Sequence, residues 1–141
     1  EYILDEEIWR ACFAKKYNGM INEGESVKFS FCPKTNEIVT LAINRTKYAN
    51  NTVEISKDTA TKIAEKYLNK STATDMDIDL EIVRPNYFYN ELNGDESIYV
   101  KIGETRQAYV AKFNNESAST LYIDATTGEI IGGDMILGGE Y

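Results

Sequence analysis

The groups in this chain that could do chemistry are carboxylates, tyrosines and two thiols. Asp and Glu number 23 against 15 Lys and Arg, and there is no His. Without His the commonest general base is missing, together with Ser-His and Cys-His nucleophiles and most zinc sites. Catalysis would fall to two carboxylates acting as acid and base, and no spacing in the chain singles out such a pair. Asp75, Asp77 and Asp79 have the spacing of the first ligands of a calcium loop. The glycine needed at the sixth position of such a loop is Leu80, and the twelfth position is Asn86. The aspartates also alternate with Met76, Ile78 and Leu80, the pattern of a strand with one wet, acidic face. No metal or cofactor is expected.

Tyr87, Tyr89, Tyr99, Tyr109 and Tyr122 all fall on predicted strands. If a helix covers one face of their sheet, those on the other face form an aromatic surface suited to protein contact. The alternative is ordinary half-buried sheet packing. Cys12 and Cys32 could be joined in a disulfide, which would imply an oxidising compartment; the alternative is two separate thiols.

These groups need elements to hold them. Ser119 to Gly132 carries two apolar runs, Leu121-Tyr122-Ile123 and Ile130-Ile131, around an Asp-x-x-Thr-Gly turn. Asp124 can accept backbone N–H bonds across that turn, and Gly128 can take the positive φ that closes it. Asp124, Thr127 and Gly128 therefore read as turn-formers, not as catalytic groups. Residues 57–69 form the clearest helix, with Ala60, Ile63, Ala64, Tyr67 and Leu68 on one stripe and Ser56 as its N-cap. From Asp75 the period changes to two, and strands are predicted at 75–83, 98–102, 108–113, 121–123 and 129–135.

Earlier in the chain, residues 3–17 place Leu4, Ile8, Ala11 and Cys12 on one stripe and predict a helix ended by Asn18-Gly19. Residues 25–32 and 37–44 predict a hairpin, and 45–55 a polar connector. Phe31 to Val39 aligns without a gap on Ile123 to Ile131, with Asn36 standing where Gly128 does. That reads as an internal repeat, the alternative being two similar turns by chance. Helices segregated from antiparallel strands give an α+β fold, a helix packed on an antiparallel sheet.

With 141 residues the chain makes one domain or two very small ones. Its net charge of −8 and lack of a basic run argue against nucleic acid and against an anionic membrane surface. No run of 18 apolar residues is present, so no bilayer insertion by this segment is expected. The chain opens at Glu1 without a Met and reads as a mature or trimmed form.

Ser56-Lys57-Asp58-Thr59-Ala60, then Ala64-Glu65-Lys66-Tyr67-Leu68, Ala108-Tyr109-Val110 and Asp124-Ala125-Thr126-Thr127-Gly128-Glu129-Ile130 together resemble the PepSY domain over about residues 56–135. That family typically has a Ser/Thr-x-x-x-Ala helix start, an aromatic strand and an Asp-Ala-x-Thr-Gly-Glu-Ile hairpin. The first 46 residues look like a shortened second copy. In it Cys32 and Asn36 replace the turn Asp and Gly, and the opening strands are missing. The division expected is a partial repeat at 1–46 (helix plus hairpin), a linker at 47–55 and a PepSY-like domain at 56–141.

The resemblance implies a non-catalytic module that binds a protein partner, a peptidase among the candidates, which it would restrain or inhibit. It also implies an extracytoplasmic place, secreted or anchored at the cell surface, as in PepSY lipoproteins. The richness in Asn, Lys, Ile and Tyr suits a low-GC Gram-positive source. The other reading is a structural spacer within a larger cell-envelope protein.

Overall fold

Pairing between distant strands, more than local propensity, decides this architecture. In the computed structural model residues 7–68, 76–87, 100–113 and 120–134 are described. The chain divides into two compact units, Glu1–Lys47 and Tyr48–Tyr141. The fold is α+β, a helix packed against antiparallel sheet.

The first unit is a three-stranded meander: β1 (Trp9–Tyr17), β2 (Met20–Cys32) and β3 (Glu37–Arg45), in the order β1-β2-β3. Here the predicted helix over 3–17 is corrected, since its described part, from Trp9 onward, is a strand. Small residues at Ala11, Cys12 and Ala14 satisfy either period, so the helical stripe was an accident of composition. Asn18-Gly19 is decisive. Both residues have positive φ, 50° and 81°, and Tyr17 pairs with Met20 directly across them. Asn-Gly is the preferred pair for a two-residue hairpin whose central residues are both left-handed. It turns one strand into the next and does not stop a helix. At the next turn Asn36 takes φ 58°.

A two-residue strand, β4 (Lys47–Tyr48), straddles the boundary at which the second unit begins. Then come the helix α1 (Lys57–Leu68) and strands β5 (Met76–Val83), β6 (Glu104–Phe113), β7 (Thr120–Asp124) and β8 (Ile130–Asp134). Strands β5 to β8 pair antiparallel in chain order, each with the next. The stretch 45–55, expected as a plain connector, is tied down. Asn51 donates to the Gln107 carbonyl at 3.1 Å and accepts from the Gln107 N–H at 2.8 Å, while the Glu54 and Ile55 N–H groups both donate to the Ala125 carbonyl. Of the strand predicted at 98–102, Val100 and Lys101 have helical backbone instead.

Helix α1 starts where expected. The Ser56 hydroxyl accepts the Thr59 N–H at 3.1 Å, and Asp58 sits in the first turn, where the helix dipole favours a carboxylate. Its apolar stripe buries Ala60 and Ala64 completely against Tyr109, Ala111, Phe113, Leu121 and Ile123. Fully buried aliphatic side chains such as Leu121 and Ile123 contribute about 1.5–3 kcal/mol each. Alanine at both helix positions lets the helix lie close to the sheet.

Enlarging one of those alanines tests the packing. Ala64→Leu is expected to cost about 1–3 kcal/mol by overpacking, while Lys62→Leu, at an exposed position of the same helix, stays within about 0.5 kcal/mol of the parent. Urea unfolding followed by far-UV circular dichroism separates the two.

Candidate contact surfaces and the pinned turn

The turn between β7 and β8 is built around one carboxylate. Asp124 is fully buried. Its Oδ1 accepts the N–H of Thr126 at 2.8 Å and of Thr127 at 3.3 Å, while the Gly128 N–H donates to the Asp124 carbonyl at 2.9 Å. Gly128 has φ 77°, and a Cβ there would lie 3.2 Å from Ile63 Cδ1 of the helix. The other carboxylate oxygen accepts from Arg106 Nε at 2.9 Å and lies 3.6 Å from Lys101 Nζ, which also pairs with Glu129. A carboxylate so occupied and so enclosed has no lone pair left for a substrate. Asp124, Thr127 and Gly128 act here as the turn itself.

The candidate tyrosines do not share one face. Tyr109 is buried beneath the helix and donates to the Ile55 carbonyl at 2.9 Å. In the β6–β7 register Tyr109 stands opposite Ile123, whereas Tyr122 stands opposite Val110. Alternation therefore puts Tyr122 on the far side of the sheet from the helix. There it is half-buried and donates to Asp134 Oδ2 at 2.7 Å. Burial and the neighbouring Asp134 both push its hydroxyl pKa well up. Tyr87 is exposed beyond the end of β5. Tyr89 and Tyr99 lie outside the described residues.

The larger apolar surface is on the first unit. Trp9, Phe13, Leu41 and Ile43 are 60%, 67%, 60% and 54% exposed. The register sets them on one face. Trp9 lies opposite Phe31, Ala11 opposite Phe29, Phe13 opposite Val27, and Val27 and Phe29 in turn lie opposite Ile43 and Leu41. The rings of Phe13 and Phe29 stack with centroids 6.2 Å apart. Arg10, Cys12, Lys28, Ser30 and Thr40 alternate with these residues and belong to the other face. Among the described residues of this unit, only Asn22, Ser26 and Cys32 are buried.

This face had a signal in the sequence. Trp9-x-Ala11-x-Phe13 matches Tyr109-x-Ala111-x-Phe113. The registers match as well, since Tyr109 lies opposite Ile123 and Ala111 opposite Leu121. Both hairpins that follow carry a bulge at the same place, between Ser30 and Phe31 and between Tyr122 and Ile123. The likeness was masked by the longer β1–β2 hairpin, which puts more residues between Phe13 and Phe29 than between Phe113 and Leu121.

Cys12 and Cys32 carry no disulfide between them. The register explains this. Cys12 lies opposite Lys28 and Cys32 opposite Glu37, four residues apart along β2, with Cys12 exposed and Cys32 buried. A polar cluster of this unit gathers at Glu25. It accepts from Lys15 Nζ at 2.9 Å, Asn22 Nδ2 at 3.0 Å and the Tyr17 hydroxyl. Lys15 and then Tyr17 hold its carboxyl below the usual carboxylate range.

Two measurements follow from these sites. Asp124→Asn keeps the shape of the turn but leaves Arg106 and Lys101 facing a neutral group; a loss of about 3 kcal/mol or more is expected, read from the urea midpoint. For Glu25 the folded pKa is the lower one, so its contribution is fully present above the unfolded value and is lost as the pH falls through the folded one. Glu25→Gln is therefore expected to flatten the acid limb of stability, followed by Trp9 fluorescence between pH 7 and 3.

Comparison with known families matches residues 54–134 to the PepSY family, described as the peptidase propeptide and YPEB domain. A search of curated proteins finds no match to the chain. The matched span runs from Glu54, in the tied-down connector or strap of residues 49–55, through α1 and the pinned turn to the end of β8. With more than half of its length so matched, the chain belongs to the PepSY family.

Proposed function

We propose that this protein is a non-catalytic, extracytoplasmic binding module that restrains or inhibits a secreted peptidase. The observation that carries the proposal is the family match, whose description names peptidase propeptides. A propeptide acts by occupying its enzyme, and occupation needs a contact surface more than catalytic groups. The absence of His from the sequence agrees with this, and so does the enclosure of Asp124. The first 46 residues are a shortened second PepSY-like copy, residues 47–55 the connection and 56–141 the PepSY-like domain. The shared triplet, the matching registers and the common bulge position support that division. One correction applies to the first copy, in which a strand and not a helix precedes the hairpin.

The test is direct. Secreted metallopeptidases from the source organism, each freed of its own propeptide, are mixed with the purified chain. At least one is expected to form a complex with Kd of about 1 μM or tighter, about 8 kcal/mol of binding free energy, and to cleave a reporter peptide more slowly. Unchanged rates across the panel, with no complex on gel filtration, overturn the proposal. A complex with a neighbouring envelope domain and with no peptidase would instead favour the spacer role.

A further inference from the structure

We infer that the apolar face of β1–β3 receives an amphipathic α-helix of the bound partner, seated as α1 is seated in the second unit. This rests on the protein-binding reading above and adds the place and the chemistry of the contact. In the second unit the face bearing Tyr109, Ala111 and Phe113 is closed by α1, whose Ala60 and Ala64 are fully buried there. In the first unit the same register sets out Trp9, Ala11 and Phe13 against Phe31, Phe29 and Val27. Yet Trp9 and Phe13 are mostly exposed, and so is Leu41 in the adjoining strand. The first unit thus repeats the receiving surface, without a helix among its described residues.

Charge gives the helix a direction and a character. Helix α1 begins at the turn end of its sheet, where the Glu54 and Ile55 N–H groups meet the Ala125 carbonyl and Tyr109 meets the Ile55 carbonyl. A helix seated in the same way on β1–β3 starts over the turn of Pro33 to Asn36. Its last turn then reaches the opposite end of the face. There Phe13, Val27 and Ile43 line a hollow of about 720 Å³ whose charged lining is Arg45, Lys47 and the Lys15–Glu25 ion pair, three cations to one carboxylate. The chain as a whole has net charge −8, so this cationic lining is a local exception. The negative end of a helix dipole fits it, and acidic side chains in the last turn strengthen the fit. The partner helix therefore presents alanine or glycine at i and i+4 toward the sheet, aliphatic residues on either side, and carboxylates at its C-terminal end.

Trp9 is the single tryptophan of the chain and stands on this face, so its emission reports occupancy. The probe is a peptide of the sequence 54–68, held helical by a side-chain staple between the positions of Lys62 and Lys66 and extended by two glutamates. The full-length chain is titrated with it. A saturable blue shift of Trp9 emission is expected. Binding is expected to weaken at least tenfold when the peptide carries Glu at the positions of Ala60 and Ala64, and likewise when the chain carries Leu41→Lys. Thr40→Lys, on the other face, leaves binding unchanged and controls for folding, checked by circular dichroism. Arg45→Glu weakens binding and reduces its dependence on salt. If the chain forms a peptidase complex but Trp9 does not respond to the stapled peptide, the helix inference falls while the binding function stands. If Trp9 responds and no peptidase binds, the function falls and the receiving face stands. A Trp9 already shielded in a concentration-dependent dimer, by sedimentation, assigns the face to a second copy and overturns the inference.

Discussion

The second unit depends on how the Asp124 turn is held. A buried carboxylate is costly unless its acceptor positions are filled, and here they are filled from two directions. The turn's own N–H groups take one oxygen, and Arg106, reaching from β6, takes the other. The turn is thereby rigid, and its next residue, Ala125, offers a carbonyl at a fixed place. Glu54 and Ile55 bond to that carbonyl, and Ser56 caps the helix immediately afterwards. The position of α1 over the sheet is thus set by a chain of hydrogen bonds from the turn as well as by its apolar stripe. Gly128 belongs to the same constraint, since its positive φ closes the turn and its missing side chain leaves room for Ile63.

Elements whose evidence was local could be read from the sequence. Helix α1 had its cap and its stripe between Ser56 and Leu68. Strand β5 alternated cleanly, and the closing hairpin had both apolar runs and turn chemistry. Where a non-local pairing decides, the sequence was ambiguous. Trp9 to Tyr17 could satisfy a helical period because Ala11, Cys12 and Ala14 are small enough to belong to either face. What makes the segment a strand is the Asn18-Gly19 turn that folds it onto β2, where Trp9 and Ala11 meet Phe31 and Phe29. The same limit explains the tyrosines. Tyr109 and Tyr122 are equally plausible strand residues, and only the register shows that they point to opposite faces. Asn51, which joins the strap to β6 and to Thr126, is one polar residue in a polar stretch, and nothing local marks it.

The two units are instructive because they set out nearly the same surface under different conditions. In the second, a helix with two alanines closes the face and produces a core. In the first, Trp9, Phe13, Leu41 and Ile43 are exposed, and among the described residues the buried ones are Asn22, Ser26 and Cys32. Those polar groups are satisfied locally: Ser26 donates to the Glu23 carbonyl and receives Asn44, and Asn22 accepts from Gly24 while donating to Glu25. They organise a hairpin, but they do not supply the hydrophobic term that dominates folding. Three strands with one apolar face reach the lower limit of independent stability, and a covering layer is what ordinarily takes such a sheet beyond it.

If the first unit receives a helix as inferred above, its stability and its binding are linked. A ligand that binds the folded sheet and not the unfolded chain adds RT ln(1 + [L]/Kd) to its stability, about 2.7 kcal/mol at a hundredfold excess over Kd. For a well-packed domain this is a modest supplement. For a sheet whose largest side chains remain in water, it is a sizeable share of the whole. On the binding proposed above, one unit is held by its own helix and the other is completed by what it binds, so that order in the first unit and occupation of its face would rise together.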